Sequence, residues 1–300
     1  MEVRIVSLSA WATQILLDLD LDHWIAGCSH DALIPPDVRT AVPVITRPFD
    51  PAVPEKEKLS LAEILLSVWD VDMEKLRELR PSHIITEGML HLSGFTAEEA
   101  EEILERDGLP GCRLLDYYPL TPEDVFKDIE EVARTFGFEK KGALLVEECR
   151  QTMKKTVKKY GVRRGSPVMG IVRSWPSLQL AGRWLSGLIS MTGGRPVVLG
   201  DDMFIHPDSY FEEQPDIFIV GSPYASLEEN REKIHALERE KLFSVFGCEE
   251  IPSFFVVDGP VFYDHSCTGL NTALKILGEI MRNDPAFSER KGVYWDVVEK

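Results

Sequence analysis

One stretch limits the fold of this sequence more than any other. From Thr121 to about Tyr160 the chain reads as helix with no strand, interrupted only by Gly137 and Gly142. Thr121-Pro122-Glu123 is a helix start: a capping residue, then a proline whose missing N–H costs nothing in the first turn. On either side of this stretch, short apolar runs alternate with amphipathic helical ones. Before it come a strand at Arg4–Leu8 and a helix that Ser9 can cap, then strands at Trp24–Cys28 and, briefly, Pro43–Thr46. Helices follow at Leu61–Trp69 and Met73–Leu79, then a strand at His83–Thr86, a helix at Ala97–Arg106 behind the cap Thr96, and a strand at Cys112–Asp116. After it come strands at Val168–Arg173, Pro196–Leu199, Ile217–Val220 and Ser253–Val257. Helices at Gly182–Thr192, Ser226–Arg239 and Thr268–Met281 lie between or beyond them, and a polar tail carries Tyr294 and Trp295.

Such alternation builds parallel sheets with right-handed crossovers. A helical run of about 40 residues is far longer than one crossover needs. The expectation is an α/β protein of two Rossmann-like lobes with parallel sheets, residues 1–120 and 162–300. A helical connector over 121–161 joins them, and the ligand cleft lies between the lobes.

Composition narrows the function. Of the 300 residues, 50 are acidic and 33 basic, a net charge of −17 that repels a phosphate backbone. The densest basic run, Lys154, Lys155, Lys158, Lys159, Arg163 and Arg164, has helical spacing and reads as a solvated face, so no nucleic-acid partner is expected. No apolar run approaches the roughly 18 residues of a membrane span, so no membrane insertion is expected. The opening MEVRIVSLSAWATQILLDLDLD lacks a basic leader and a cleavage site, and the five cysteines are scattered without a CxxC. Reduced thiols and a cytoplasmic location are the expectation.

Strong catalytic signatures are missing: there is no GxxxxGK[ST], no GxGxxG after the first strand, no GxSxG and no HExxH. Asp201-Asp202 reads as a solvated turn, and Gly193-Gly194 as a helix terminator. What remains are aromatic and imidazole residues where strands end. Trp11, His30 and Glu87 follow strands of the first half; Trp175, Trp184, Tyr224, Tyr263 and His265 follow strands or open helices of the second. Open α/β sheets bind ligands beyond the carboxyl ends of their strands. Rims carrying Trp, Tyr and His suit a large, flat, partly apolar ligand. His83, inside an apolar strand, reads as a core residue, and His23 and His235 as surface ones.

These residues carry a family resemblance. The opening RIVSLSAWATQILLDLDLDHWIAGCSHDALIPPDVRTAVPVITR resembles the start of the cobalamin-binding, BtuF-type branch of the class III, helical-backbone substrate-binding proteins. So do MEKLRELRPSHIITEG, TPEDVFKDIEEVARTFG, LQLAGRWLSGLISMTGGR and FFVVDGPVFYDHSCTGLNTALKILGEIM, in the family's order over nearly the whole chain. Two loops, EGMLHLSGF and GPVFYDHSCTG, depart from the family pattern.

The resemblance implies a non-catalytic binding protein of the ABC-importer type, holding cobalamin, another corrinoid or a related tetrapyrrole, with an ABC permease as its partner. Trp11, Trp175, Trp184 and Tyr263 would contact the macrocycle, and His30 or His265 would approach its metal. A second reading is a metal ion or metal chelate such as a siderophore, held by His30, Glu87, His206 and His265. A third is an enzyme handling a corrinoid or metal cofactor.

Overall fold

The computed structural model describes residues 2–36, 41–48, 60–67, 69–160, 166–174, 179–180, 183–197, 214–235 and 253–298. Trp175, His206, Asp201 and Asp202 lie outside them, as does the side chain of His235. The chain divides into two compact units, one of Met1–Tyr118 with Glu131–Gly142, the other of Pro119–Glu130 with Ala143–Lys300.

In the first unit, β1 (Ile5–Ser7), β2 (Ile25–Cys28), β5 (His83–Glu87) and β6 (Arg113–Tyr117) form a sheet in the order β2-β1-β5-β6. All three pairings are parallel. Parallel strands covered on both faces need apolar side chains on both, and Ile5, Val6, Ile84 and Ile85 are fully buried. Helix α1 (Ala10–Asp18) links β1 to β2. Between β2 and β5 lie the small antiparallel pair β3 (Thr46–Arg47) and β4 (Asp70–Val71), with α2 (Leu61–Leu66) and α3 (Met73–Leu79). Beyond β5 come α4 (Met89–Ser93) and α5 (Ala97–Arg106). Val6, Leu65, Leu66, Leu76, Ile84 and Leu104 meet in one core cluster on this sheet.

Two local expectations are corrected here. Helix α2 ends at Leu66, because Ser67 is already extended (φ −165°, ψ 155°). Ser9 occupies the cap position of α1 but makes no cap hydrogen bond, since its hydroxyl is engaged elsewhere. Thr96, by contrast, forms a reciprocal capping box with Glu99.

Residues 121–160 form two helices, α6 (Pro122–Thr135) and α7 (Glu139–Tyr160). They part at Gly137, whose left-handed φ of 80° only glycine adopts without strain, while Gly142 continues inside α7.

The second unit holds β7 (Val168–Ser174), β8 (Gln179–Leu180), β9 (Arg195–Pro196), β10 (Ile217–Val220), β11 (Ser253–Val257) and β12 (Trp295–Val297). Their order is β12-β11-β10-β7-β8, with β9 also on β7. β7, β9, β10 and β11 run parallel; β8 and β12 are antiparallel. Helices α8 (Arg183–Met191), α9 (Leu227–His235), α10 (Gly259–Phe262) and α11 (Cys267–Arg282) complete the unit. Helix α8 closes on Gly193 (φ 88°), whose neighbour Gly194 donates its N–H to the Ile189 carbonyl, as a helix terminator should. The carboxyl-terminal stretch is not a solvated tail: Trp295 is fully buried in β12, and its indole Nε1 donates to Glu279.

Candidate functional site

Because the principal strands of each sheet run parallel, their carboxyl ends gather on one edge. In the first unit that edge is set by Ser7, Cys28, Glu87 and Tyr117. Side-chain hydrogen bonds tie its loops together. The Ser9 hydroxyl donates to Glu87 Oε2 at 2.8 Å, joining the loop after β1 to the end of β5. Thr13 Oγ1 donates to Ser7 Oγ at 2.9 Å beneath it. Asp116 accepts from the Thr86 hydroxyl (2.6 Å) and from the backbone N–H groups of Met89 and Leu90 (2.9 Å each), which fixes the first turn of α4. Gly88, at φ 67°, brings the chain so close to Tyr118 that a Cβ there would sit 2.9 Å from its ring.

On this frame Trp11 packs edge-on to Tyr117, centroids 5.9 Å apart, and keeps only 3% of its surface exposed. It supports the rim from within. The rings of His91 and Tyr118, which sequence reasoning did not single out, stack at 4.4 Å on the outside, both exposed. His30 is half-buried. Its backbone N–H and its ring Nδ1 both meet Thr46 Oγ1, at 2.9 and 2.8 Å, and Trp69 packs edge-on to it. Burial pushes its pKa below the ordinary histidine value, against the opposing charge of Asp31, so the ring is neutral at pH 7.

In the second unit the edge is set by Ser174, Val220 and Val257. Asn230, on α9, braces it. Its Nδ2 donates to the carbonyls of Ala225 (2.9 Å) and Val257 (3.1 Å), and its Oδ1 accepts from Ser222 N–H at 2.9 Å. Asp258 accepts from Leu227 N–H (3.1 Å) and Val261 N–H (3.3 Å). Gly259 passes so near the Ser222 carbonyl that a Cβ would lie 1.8 Å from it.

Four expected site residues share this region. Trp184 opens α8, 7% exposed, with its indole 5.6 Å from the buried His265 ring. Tyr263 follows α10, edge-on to Phe262, with its hydroxyl buried. Tyr224 is half exposed at the rim. The structure thus brings Trp184 and His265 together, places Tyr263 two residues from that contact, and leaves Tyr224 further out. Among the described residues no three His, Cys, Asp or Glu side chains gather as metal ligands do.

No protein-family model and no curated protein matches this chain. Solved structures do. The haem-bound IsdE of S. aureus superposes with a TM-score of 0.65 at 17% identity, over 93% of this chain and 99% of that one. The periplasmic haem-binding RhuT of Roseiflexus sp. RS-1 gives 0.63 at 19%, over 93% and 98%. The periplasmic vitamin B12-binding BtuF of Vibrio cholerae gives 0.60 at 14%, over 94% and 98%. The fold is that of the class III periplasmic solute-binding proteins. Sixteen-odd per cent identity fixes the fold and leaves the ligand to the side chains.

Proposed function

We propose that this chain is a non-catalytic binding protein for a tetrapyrrole, either a corrinoid such as cobalamin or a haem, and that it serves an ABC permease. The observation that carries the reading is the set of aromatic and imidazole side chains at the carboxyl edges of the sheets: His30, His91 and Tyr118 on one, Trp184, Tyr224, Tyr263 and His265 on the other. Broad ring faces bury macrocycle surface, and neutral imidazole is a good donor to cobalt or iron. Similarity in fold to proteins named for haem and vitamin B12 binding supports the same class. No enzyme is among the neighbours named above, and no nucleophile–base pair was found in the sequence. Five scattered cysteines without a CxxC fit a reducing compartment such as the cytoplasm.

Direct metal-ion binding through His30, Glu87, His206 and His265 is the second reading. It gains little from the described residues, where Glu87 accepts a hydrogen bond from Ser9.

The test is titration with cyanocobalamin, cobinamide and haemin, followed by calorimetry and tryptophan quenching, beside zinc and iron as controls. Micromolar or tighter binding of one macrocycle is expected. Metal binding without any macrocycle binding would overturn the reading.

A further inference from the structure

A chain with 50 acidic and 33 basic side chains should present an acidic surface nearly everywhere. One end of the second unit does the opposite. Helix α7 packs through Cys149, Met153, Thr156 and Tyr160, all buried. At 3.6 residues per turn, its other side carries Lys154, Lys155, Lys158 and Lys159 over the last two turns, all exposed. A helix carboxyl terminus attracts cations, which accounts for Lys158 and Lys159. It does not account for what α11 and the loop after it bring to the same place.

Arg282 donates from Nε to the Tyr160 carbonyl at 2.5 Å and lies over the Phe287 ring, 4.1 Å from its centroid. Lys159 donates to Glu289 at 2.7 Å, which ties the loop carrying Arg290 and Lys291 to the end of α7. Lys275, two turns before Arg282 on α11, stands among these cations. Burial first, then the charges of Arg290 and Lys159, push its pKa down, and the acids whose charge reaches it are Glu289 and Glu279. From Gln151 to Tyr160 there is no acidic residue, and 275–293 holds Glu279, Asp284 and Glu289. Glu279 is fully buried and matched by Arg290. Lys154, Lys155, Lys158, Lys159, Lys275, Arg282 and Lys291 are left facing Glu289 and Asp284 on these two segments. Val293, two residues beyond Lys291, is 60% exposed.

Crowded like charges repel one another, and an opposing anionic surface relieves that repulsion. The cations come from two helices and a loop with an exposed valine beside them, and they ring no pocket. Their complement is an extended anionic surface with an apolar layer beneath, not a single ion. We propose that this end of the second unit docks on an anionic lipid bilayer, its lysines against the headgroups and Val293 at the interface, without inserting. The docking is independent of which ligand the rims hold.

The experiment is co-sedimentation of the full chain with vesicles of phosphatidylcholine alone and of phosphatidylcholine with about 30 mol % phosphatidylserine, at low salt and at about 0.5 M. Wild type is expected to bind the anionic vesicles only, and salt to release it. Each cation near such a surface is worth about fivefold, so Lys154→Gln, Lys155→Gln and Lys158→Gln together lower binding about hundredfold, and Lys291→Gln alone about fivefold. Removing the same charge from the first unit, by Arg106→Gln, Arg134→Gln and Lys140→Gln, changes binding less than about threefold, because screening confines the effect to the patch. All of these side chains are exposed, so both triple variants should melt with wild type. Absence of binding to the anionic vesicles at low salt, or an equal loss in the two triple variants, overturns the proposal. So does release by inorganic phosphate where sodium chloride of the same ionic strength releases nothing, since that marks a site for a single anion. Binding to polyglutamate or to single-stranded RNA without binding to vesicles overturns it as well.

Discussion

Glu279 is the most consequential polar residue outside the rims. It lies on α11, fully buried, and accepts four hydrogen bonds: from Arg290 Nη1 (2.6 Å), Arg290 N (3.0 Å), Trp295 Nε1 (2.8 Å) and Tyr160 Oη (3.2 Å). Burial, with the Glu279 charge second, raises the Tyr160 phenol above its usual range, so it remains a donor at any physiological pH. Replacing Glu279 with Met leaves a buried indole N–H and a buried phenol without an acceptor, at about 1–3 kcal/mol each. It also takes from the Arg290 guanidinium, whose side chain is 21% exposed, its buried counter-charge, leaving only the exposed Glu289 at 3.5 Å. Removing one partner of such a buried pair costs roughly 3–5 kcal/mol in all, the stranded donors included. At about 2–4 °C per kcal/mol for a unit of this size, the melting temperature falls by about 6–20 °C. Scanning calorimetry on Glu279→Met, Arg290→Met and the double variant checks this. The double variant should recover part of the loss, because the stranded guanidinium is gone. Strict additivity, or a fall of less than 2 °C in Glu279→Met, would refute the reasoning.

Three further outcomes follow from the same structure. Trp11→Ala should destabilise by about 3–5 kcal/mol through a large cavity, with little change in the ligand affinity of the protein that remains folded; a selective loss of affinity at unchanged stability would make Trp11 a ligand contact instead. His30 should titrate below the ordinary histidine value of 6.5. A depressed folded pKa means stability is held above the unfolded pKa and lost as pH falls below about 6.5, so His30→Gln should flatten that part of the stability–pH profile; NMR showing a raised His30 pKa would contradict the burial argument. All five cysteines should react with a thiol reagent after denaturation without reductant, and two or more missing thiols would point to oxidation.

The order of strands and helices was readable from apolar period alone, because buried parallel strands such as Ile5–Ser7 and Ile217–Val220 carry runs that a solvated segment cannot. Rim positions followed from where those runs stop. Burial did not. Trp11 follows a strand as an open contact residue would, and only Tyr117, a hundred residues away, shows it to be packed. Asn230 sits in a charged helix that looks like a solvated face; besides Ser222 and Ala225 in the loop before it, it bonds to the carbonyl of Val257 at the end of β11, which the fold alone brings near. Trp295 lies in a polar tail whose partner, Glu279, is sixteen residues back on a helix. In each case the deciding neighbour is distant in sequence.

The bracing of the rims by Asn230, Asp116 and the Ser9–Glu87 bond has a kinetic consequence. Loops held by such hydrogen bonds before any ligand arrives have little ordering entropy left to lose at the moment of capture. Association then runs near the rate of productive encounter. Differences between rival ligands are written almost wholly in how long each one stays. A binding protein built this way fills quickly with whatever suitable ligand is near and sorts among rivals by residence time, so the retained ligand is the one that leaves slowest.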